Sequence, residues 1–197
     1  MAYKVLNNIA LKDTSSASLV SLKTAMLVLT INKDTKNNVS FKELDKVSKN
    51  YLSKTITSHL KESGSSMLLP KIDGINAENI FLVKGLDKDA PMHKWLSMYG
   101  SISQKGNQLN AKDMSVVCGT TCPSGKDELW LIEMVAKTIE SNAYIFSETK
   151  NKTAKKPSLK NLTILTSGLS GSNLTKAKQA AKKGYAIGEG VNTAKYL

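Results

Sequence analysis

Apolar residues along this chain fall into short blocks that alternate with longer stretches of helical period. Residues 3–9 and 24–31 have strand length, and Ala25-Met26-Leu27-Val28-Leu29 is the longest unbroken apolar run. A run that short reads as a buried strand and is far from a bilayer span. A polar, turn-like stretch follows at 32–38. Phe41, Leu44, Val47, Tyr51, Leu52, Ile56 and Leu60 then form one stripe, which predicts a single helix ending near Gly64. Ser40-Phe41-Lys42-Glu43 has the form of a capping box at its start.

Further strands are predicted at 67–69 and 79–83, joined through Pro70 and an Asp73-Gly74 turn. Pro91 suits the first turn of a helix running to about Lys105. A strand at 114–118 precedes a helix over 124–142, which opens on the box-like Ser124-Gly125-Lys126-Asp127. Residues 144–146 have strand character, 150–160 form a polar basic connector, and 161–166 are a strand. A long helix follows from about Ser172. Leu174, Ala177, Ala181, Gly184, Ile187, Val191 and Ala194 give it a narrow face of small residues, suited to close packing on another element. No Gly or Pro ends that helix, so its stop at Leu197 looks imposed from outside the sequence. Alternating strands and helices predict a layered α/β domain, with the strand order left open.

Composition changes this picture in two respects. The net charge is +12 with no Arg at all, so the geometry that reads guanine edges or clamps carboxylates in two teeth is missing. The charge is also uneven: residues 142–197 carry ten Lys against Glu148 and Glu189, a net of +8. Such a block can form a nucleic-acid surface, a solvated linker, or a face for an acidic partner domain. Lys150, Lys152, Lys155 and Lys156 of the connector are the candidate phosphate contacts, although no aromatic residues are interleaved for base stacking. No secretory signal is legible, and Cys118 and Cys122 are the only cysteines, which predicts a cytoplasmic protein with reduced thiols and no membrane association.

Candidate chemistry is sparse. The segment from Gly119 to Gly125, followed by Lys126 and Asp127, lies where a phosphate-cradling loop belongs. Its glycines are one residue too far apart, and Asp127 stands where a magnesium-binding hydroxyl is needed, so it reads as a strand-to-helix turn capped by Ser124. Cys118, Cys122, His59 and His93 are too dispersed for a zinc site. Asp45, Glu62, Asp127, Glu128, Glu133 and Glu140 sit on predicted helices with lysines nearby, as solvated faces do. Asp87-Lys88-Asp89 reads as a turn. Gly184, Gly188 and Gly190 lie within a helix, where they suit close packing better than dinucleotide binding. Gly168-Leu169-Ser170-Gly171 lacks the nucleophile-elbow spacing. No catalytic, cofactor-binding or metal-binding residue is assigned.

Residues 186–197, Ala-Ile-Gly-Glu-Gly-Val-Asn-Thr-Ala-Lys-Tyr-Leu, resemble the helix that joins the two domains of leucyl (cytosol) aminopeptidases, where the phrase reads approximately A-I-x-x-G-x-x-x-A-K-x-L. Tyr144-Ile145-Phe146, followed by Lys150, Lys152 and Lys155-Lys156-Pro157, is similar to that family's Y-x-F-x-x-x-K region, and the strand at 161–166 also fits. The resemblance implies an amino-terminal, macro-like domain over 1–167, a mixed sheet flanked by helices, and an interdomain helix over 168–197 cut before the catalytic domain. It further implies a parent exopeptidase that releases amino-terminal residues such as leucine. That parent would use two divalent metals, manganese or zinc, held in the absent domain, and would assemble as a homohexamer, in some bacterial members with DNA as a partner. The family's metal-ligand segment, Asn-Thr-Asp-Ala-Glu-Gly-Arg, has no counterpart here, so no catalytic residue carries over. The alternative functions are a nucleic-acid-binding module and a macro-like nucleotide-binding domain.

Overall fold

The computed structural model describes residues 5–14, 18–32, 35, 38–60, 65–118, 121–145 and 157–196. Six strands form one sheet: β1 (Asn8–Asp13), β2 (Met26–Ile31), β3 (Ser66–Pro70), β4 (Asn79–Lys84), β5 (Asp113–Val117) and β6 (Asn161–Thr166). Their order is β1-β6-β5-β2-β4-β3. All neighbours are parallel except the edge strand β3, which runs antiparallel to β4. The helices are α1 (Val39–Val47), α2 (Tyr51–Thr55) with a π-helical turn (Ile56–Leu60), α3 (Met92–Gln108), α4 (Glu128–Ala143) and α5 (Gly171–Tyr196). The sheet is mixed and flanked by helices, as the resemblance implies.

The central strands are buried on both faces, which is why they read as unbroken apolar runs. Their period of two sorts side chains into two cores. Met26, Val28, Phe81, Val83, Met114, Val116, Leu162 and Ile164 join the core shared with α3, α4 and α5. Leu27, Leu29, Ile80, Leu82 and Leu165 turn the other way, onto Phe41, Leu44, Leu52 and Ile56 of α1 and the segment after it.

Several boundaries differ from the sequence expectation, each for a tertiary reason. The first strand begins at Asn8, because the amides of Val5 and Leu6 are drawn to the carboxylate of Glu140 rather than to a ladder. The single helix expected over 40–64 is broken at Lys49 and Asn50, whose φ values are 53° and 61°. Asp45 stabilises the break by accepting from the amide and hydroxyl of Ser53. Tyr51, expected on the apolar stripe, is left exposed while Leu52 is buried. The Ser40 capping box does not form. Asn38 is the N-cap, accepting from the Ser40 and Phe41 amides, and Glu43 instead accepts from the Ser18 hydroxyl at 2.6 Å.

Helix α4 likewise starts later than expected, on an Asp127 cap whose carboxylate accepts from the Trp130 amide at 2.8 Å. Ser124 is not the cap; it is tied to the loop before α3 through the Asp89 carboxylate and the Lys88 carbonyl. Tyr144 and Ile145 follow α4 without forming a strand, and Phe146 lies outside the described residues. The turn between β3 and β4 forms as expected, with Gly74 at φ 82°. A Cβ there would stand 2.7 Å from a Val47 methyl, so the position excludes larger residues twice over.

Candidate functional site

In an open α/β sheet, ligands favour the carboxyl ends of the strands where successive connections leave toward opposite faces. Here that point lies between β2, whose chain continues to α1 on one face, and β5, whose chain continues to α4 on the other. The polar groups there bond to one another. The Thr30 hydroxyl donates to the Val117 carbonyl at 3.4 Å, and the Asn32 side-chain amide donates to Thr121 at 3.3 Å. The Thr35 hydroxyl donates to Asn32 Oδ1 at 2.9 Å and accepts from the Asn32 amide at 2.8 Å.

The phosphate-loop candidate adjoins this edge. Gly119 and Thr120 lie outside the described residues; the remainder forms a turn in which Gly125 adopts φ 73°. Lys126 does not point at an anion pocket but lies 5.4 Å from the centre of the Trp130 ring. Carboxylates already engage backbone amides on both sides of the edge: Asp127 at the start of α4, and Asp13, which accepts from the Gly168 amide at 3.2 Å ahead of α5. Burial pushes the Glu128 carboxyl up, and the neighbouring charges of Asp13 and Asp127 push it further. The negative charge these carboxyl groups bring makes the edge a poor host for phosphate. The two cysteines also sit here. Burial pushes the Cys118 thiol up to about 12, with Glu128 and Cys122 adding to the shift, and burial raises Cys122 as well. Neither is an activated nucleophile.

The second built feature is the seam between α4 and α5, which run parallel. Ala177, Ala181, Gly184, Gly188 and Asn192 are buried against α4. The expected small-residue face exists, but it rolls toward Gly188 and Asn192, leaving Ile187 38% exposed and Ala194 in solvent. A Cβ on Gly184 would meet the Glu133 backbone at 2.8 Å and 3.0 Å, whereas Gly190 faces open space. Close packing therefore accounts for Gly184 and Gly188 but not Gly190. Lys183 pairs with Glu133 at 3.0 Å on the outer rim.

Glu140 overturns the reading of the helix acids as a solvated set, for it is fully buried. Its carboxylate accepts from the Val5 amide at 2.8 Å, the Leu6 amide at 2.9 Å and the Asn192 side chain at 3.1 Å. Burial raises its pKa; those three donors pull the other way, and burial wins. A sequence signal did exist: α4 is apolar on nearly all sides, and a charge inside such a helix needs internal partners.

The other candidates are dispersed. His93 is exposed in the first turn of α3, and the side chain of His59 lies outside the described residues, as do Glu62, Lys150, Lys152, Lys155 and Lys156. A shallow groove of about 550 Å³ lies between the first halves of α4 and α5, lined by Trp130, Glu133, Lys176, Ala180 and Lys183 among others. Among the described residues, no group of three or more His, Cys, Asp or Glu is placed to hold a metal ion, and no helix is long and apolar enough to cross a membrane. The described residues do not fit a dinuclear centre, so no hydrolytic step is assigned to them.

No family model matches the chain. A probable cytosol aminopeptidase of Nitrosococcus oceani is 31% identical over 181 residues, 89% of this chain and 35% of that protein. The chain is similar to the amino-terminal region of cytosol aminopeptidases. A second relative of the same description, from Pseudomonas fluorescens, is 29% identical over 155 residues, 77% of this chain and 31% of its own length. The chain thus spans about a third of the curated relatives it matches. Among solved structures, a tomato leucine aminopeptidase superposes with a TM-score of 0.65 at 21% identity, over 91% of this chain and 36% of that one. A Trypanosoma brucei macrodomain in complex with ADP superposes with a TM-score of 0.62 at 13% identity, over 90% of this chain and 71% of that one. At such identities the likeness speaks for the fold, which is macro-like.

Proposed function

We propose that this chain serves as the non-catalytic amino-terminal domain of a cytoplasmic leucyl aminopeptidase. The parent would be a dinuclear-metal exopeptidase that releases residues such as leucine from peptide amino-termini, with manganese or zinc bound in a separate carboxyl-terminal domain. The observation that carries this reading is the match itself: it takes in 89% of this chain but 35% of the relative. The partner of this domain is then its own catalytic domain, in a homohexameric parent. The test is hydrolysis of leucine p-nitroanilide with added Mn²⁺. The chain as given is expected to show no turnover, and the same chain continued into a catalytic domain is expected to show metal-dependent turnover. Metal-dependent activity that stays with the purified 197-residue chain through successive columns refutes the assignment.

A second reading, nucleotide binding at the carboxyl edge, draws support from the macrodomain neighbour solved with ADP. The carboxyl groups of Asp13, Asp127 and Glu128 oppose it, because a diphosphate would have to displace or protonate them. Calorimetric titration with ADP-ribose separates the two: saturable heat at micromolar concentration favours nucleotide binding, and a flat titration excludes it.

A further inference from the structure

Glu140 takes no part in any chemistry described above, yet it is the most heavily bonded buried charge among the described residues. Two stretches of chain converge on it. Val5 and Leu6 donate their amides to separate carboxylate oxygens, at 2.8 Å and 2.9 Å. From α5, Asn192 donates to both the carboxylate and the main-chain carbonyl of Glu140, each at 3.1 Å. Tyr185, also on α5, donates its hydroxyl to the Leu6 carbonyl at 2.7 Å, closing the triangle. Gly188 lets the two helices meet here, since a Cβ would stand 2.7 Å from the Glu140 Cβ. One turn beyond, the Lys195 ammonium reaches the Ser141 carbonyl at the end of α4, where a cation suits the helix dipole.

The polarity of this node is costly. Asn192 is fully buried, and its Oδ1 has no partner. An unpaired buried carbonyl disfavours folding, because it gives up its bond to water and gains none in return. A leucine would fill the space without that cost, so packing alone does not account for asparagine here. What asparagine adds is direction: its amide reaches two acceptors on one residue, which fixes both the register and the rotation of α5 on α4.

We propose that the Glu140 node is a latch that holds the carboxyl half of α5 at one angle to the sheet and couples that angle to the amino-terminal segment. Small residues alone leave the α4–α5 seam free to slide or roll, because Ala and Gly offer little to interlock. The node removes that freedom. In the parent enzyme, a claim that rests on the accessory-domain reading, the latch would set the orientation in which α5 hands the chain to the next domain. Its physical action in this chain does not depend on that reading.

The test is site-resolved hydrogen exchange on the full 197-residue chain and two variants. Asn192→Leu removes only the bonds from α5 to Glu140 and leaves those of Tyr185 and Lys195 in place. It is expected to raise exchange at least tenfold over 188–196, while Val5 and Leu6 stay protected by Glu140 and the β2 and β5 amides keep their native rates. Glu140→Gln is expected to loosen both 188–196 and Val5-Leu6, because one amide of the pair then faces an NH₂ group. Unchanged exchange at 188–196 in Asn192→Leu overturns the latch, as does a rise shared equally by the central strands. If Glu140→Gln does not fold, Asn192→Leu still decides. Neither outcome bears on peptidase activity, so failure of the latch and failure of the proposed function remain distinguishable.

Discussion

The α4–α5 seam permits a comparison in which one substitution at two positions of one helix has opposite effects. At Gly184, an added Cβ would lie 2.8 Å and 3.0 Å from the carbonyl carbon and Cα of Glu133, and nearer still to its oxygen. Nonbonded atoms pack comfortably at about 3.5–4.0 Å, so the helices would have to separate by on the order of 1 Å. The obstructing atoms are backbone and cannot rotate away. Overpacking costs about 1–3 kcal/mol, and this site belongs at the upper end. Alanine gives back about 1 kcal/mol of helix propensity, leaving Gly184→Ala less stable by about 2 kcal/mol. At Gly190 nothing lies within 4 Å, so Gly190→Ala keeps the propensity gain of about 0.5–1 kcal/mol. For a chain of this size, that is a fall in Tm of roughly 4–8 °C for the first variant and a rise of roughly 1–4 °C for the second. Urea melts with a shared m-value and a scanning calorimetry trace check both. A Gly184→Ala chain as stable as the wild type, or a Gly190→Ala chain that loses as much, would refute the seam as described.

Two further outcomes follow from the titratable groups. Because burial holds the Glu140 carboxyl above its ordinary 4.5 in the folded chain, its contribution to stability is full below that value and is lost as the pH rises through the raised one. Glu189 adds to the shift from α5. Glu140→Gln cannot titrate and has a mismatched amide, so it is less stable throughout, and the gap to wild type narrows from pH 4 toward neutrality; urea midpoints that give a constant or widening gap contradict this. For the thiols, Cys118 is 7% exposed and pushed up to about 12, so at pH 8 an aromatic disulfide reagent should modify only Cys122, and more slowly than a free thiol, until urea releases both. Equal, rapid reaction of two thiols in the native chain would show the β5 edge to be more open than it is here.

Much of the fold is legible along the chain because strand and helix periods are local properties. The strand Asn161–Thr166, the buried run of β2, the Pro91 helix start and the long final helix could all be read from spacing alone. The strongest functional indication, the resemblance carried by residues 186–197, rests on the residues themselves and not on their spacing. What tertiary structure decided were choices between partners that are equivalent in sequence. Ser40 and Asn38 are both good caps, and the approach of Ser18 to Glu43 took the box apart. Ser124 and Asp127 are both good caps, and Asp89 took Ser124. Glu140 has Lys137 at helical spacing, as a solvated acid could, yet lies beneath α5 because Val5, Leu6 and Asn192 arrive from 135, 134 and 52 residues away. A pattern of three or four residues reports which face of a helix is apolar. It does not report what will cover that face, and the burial of a charge depends on that.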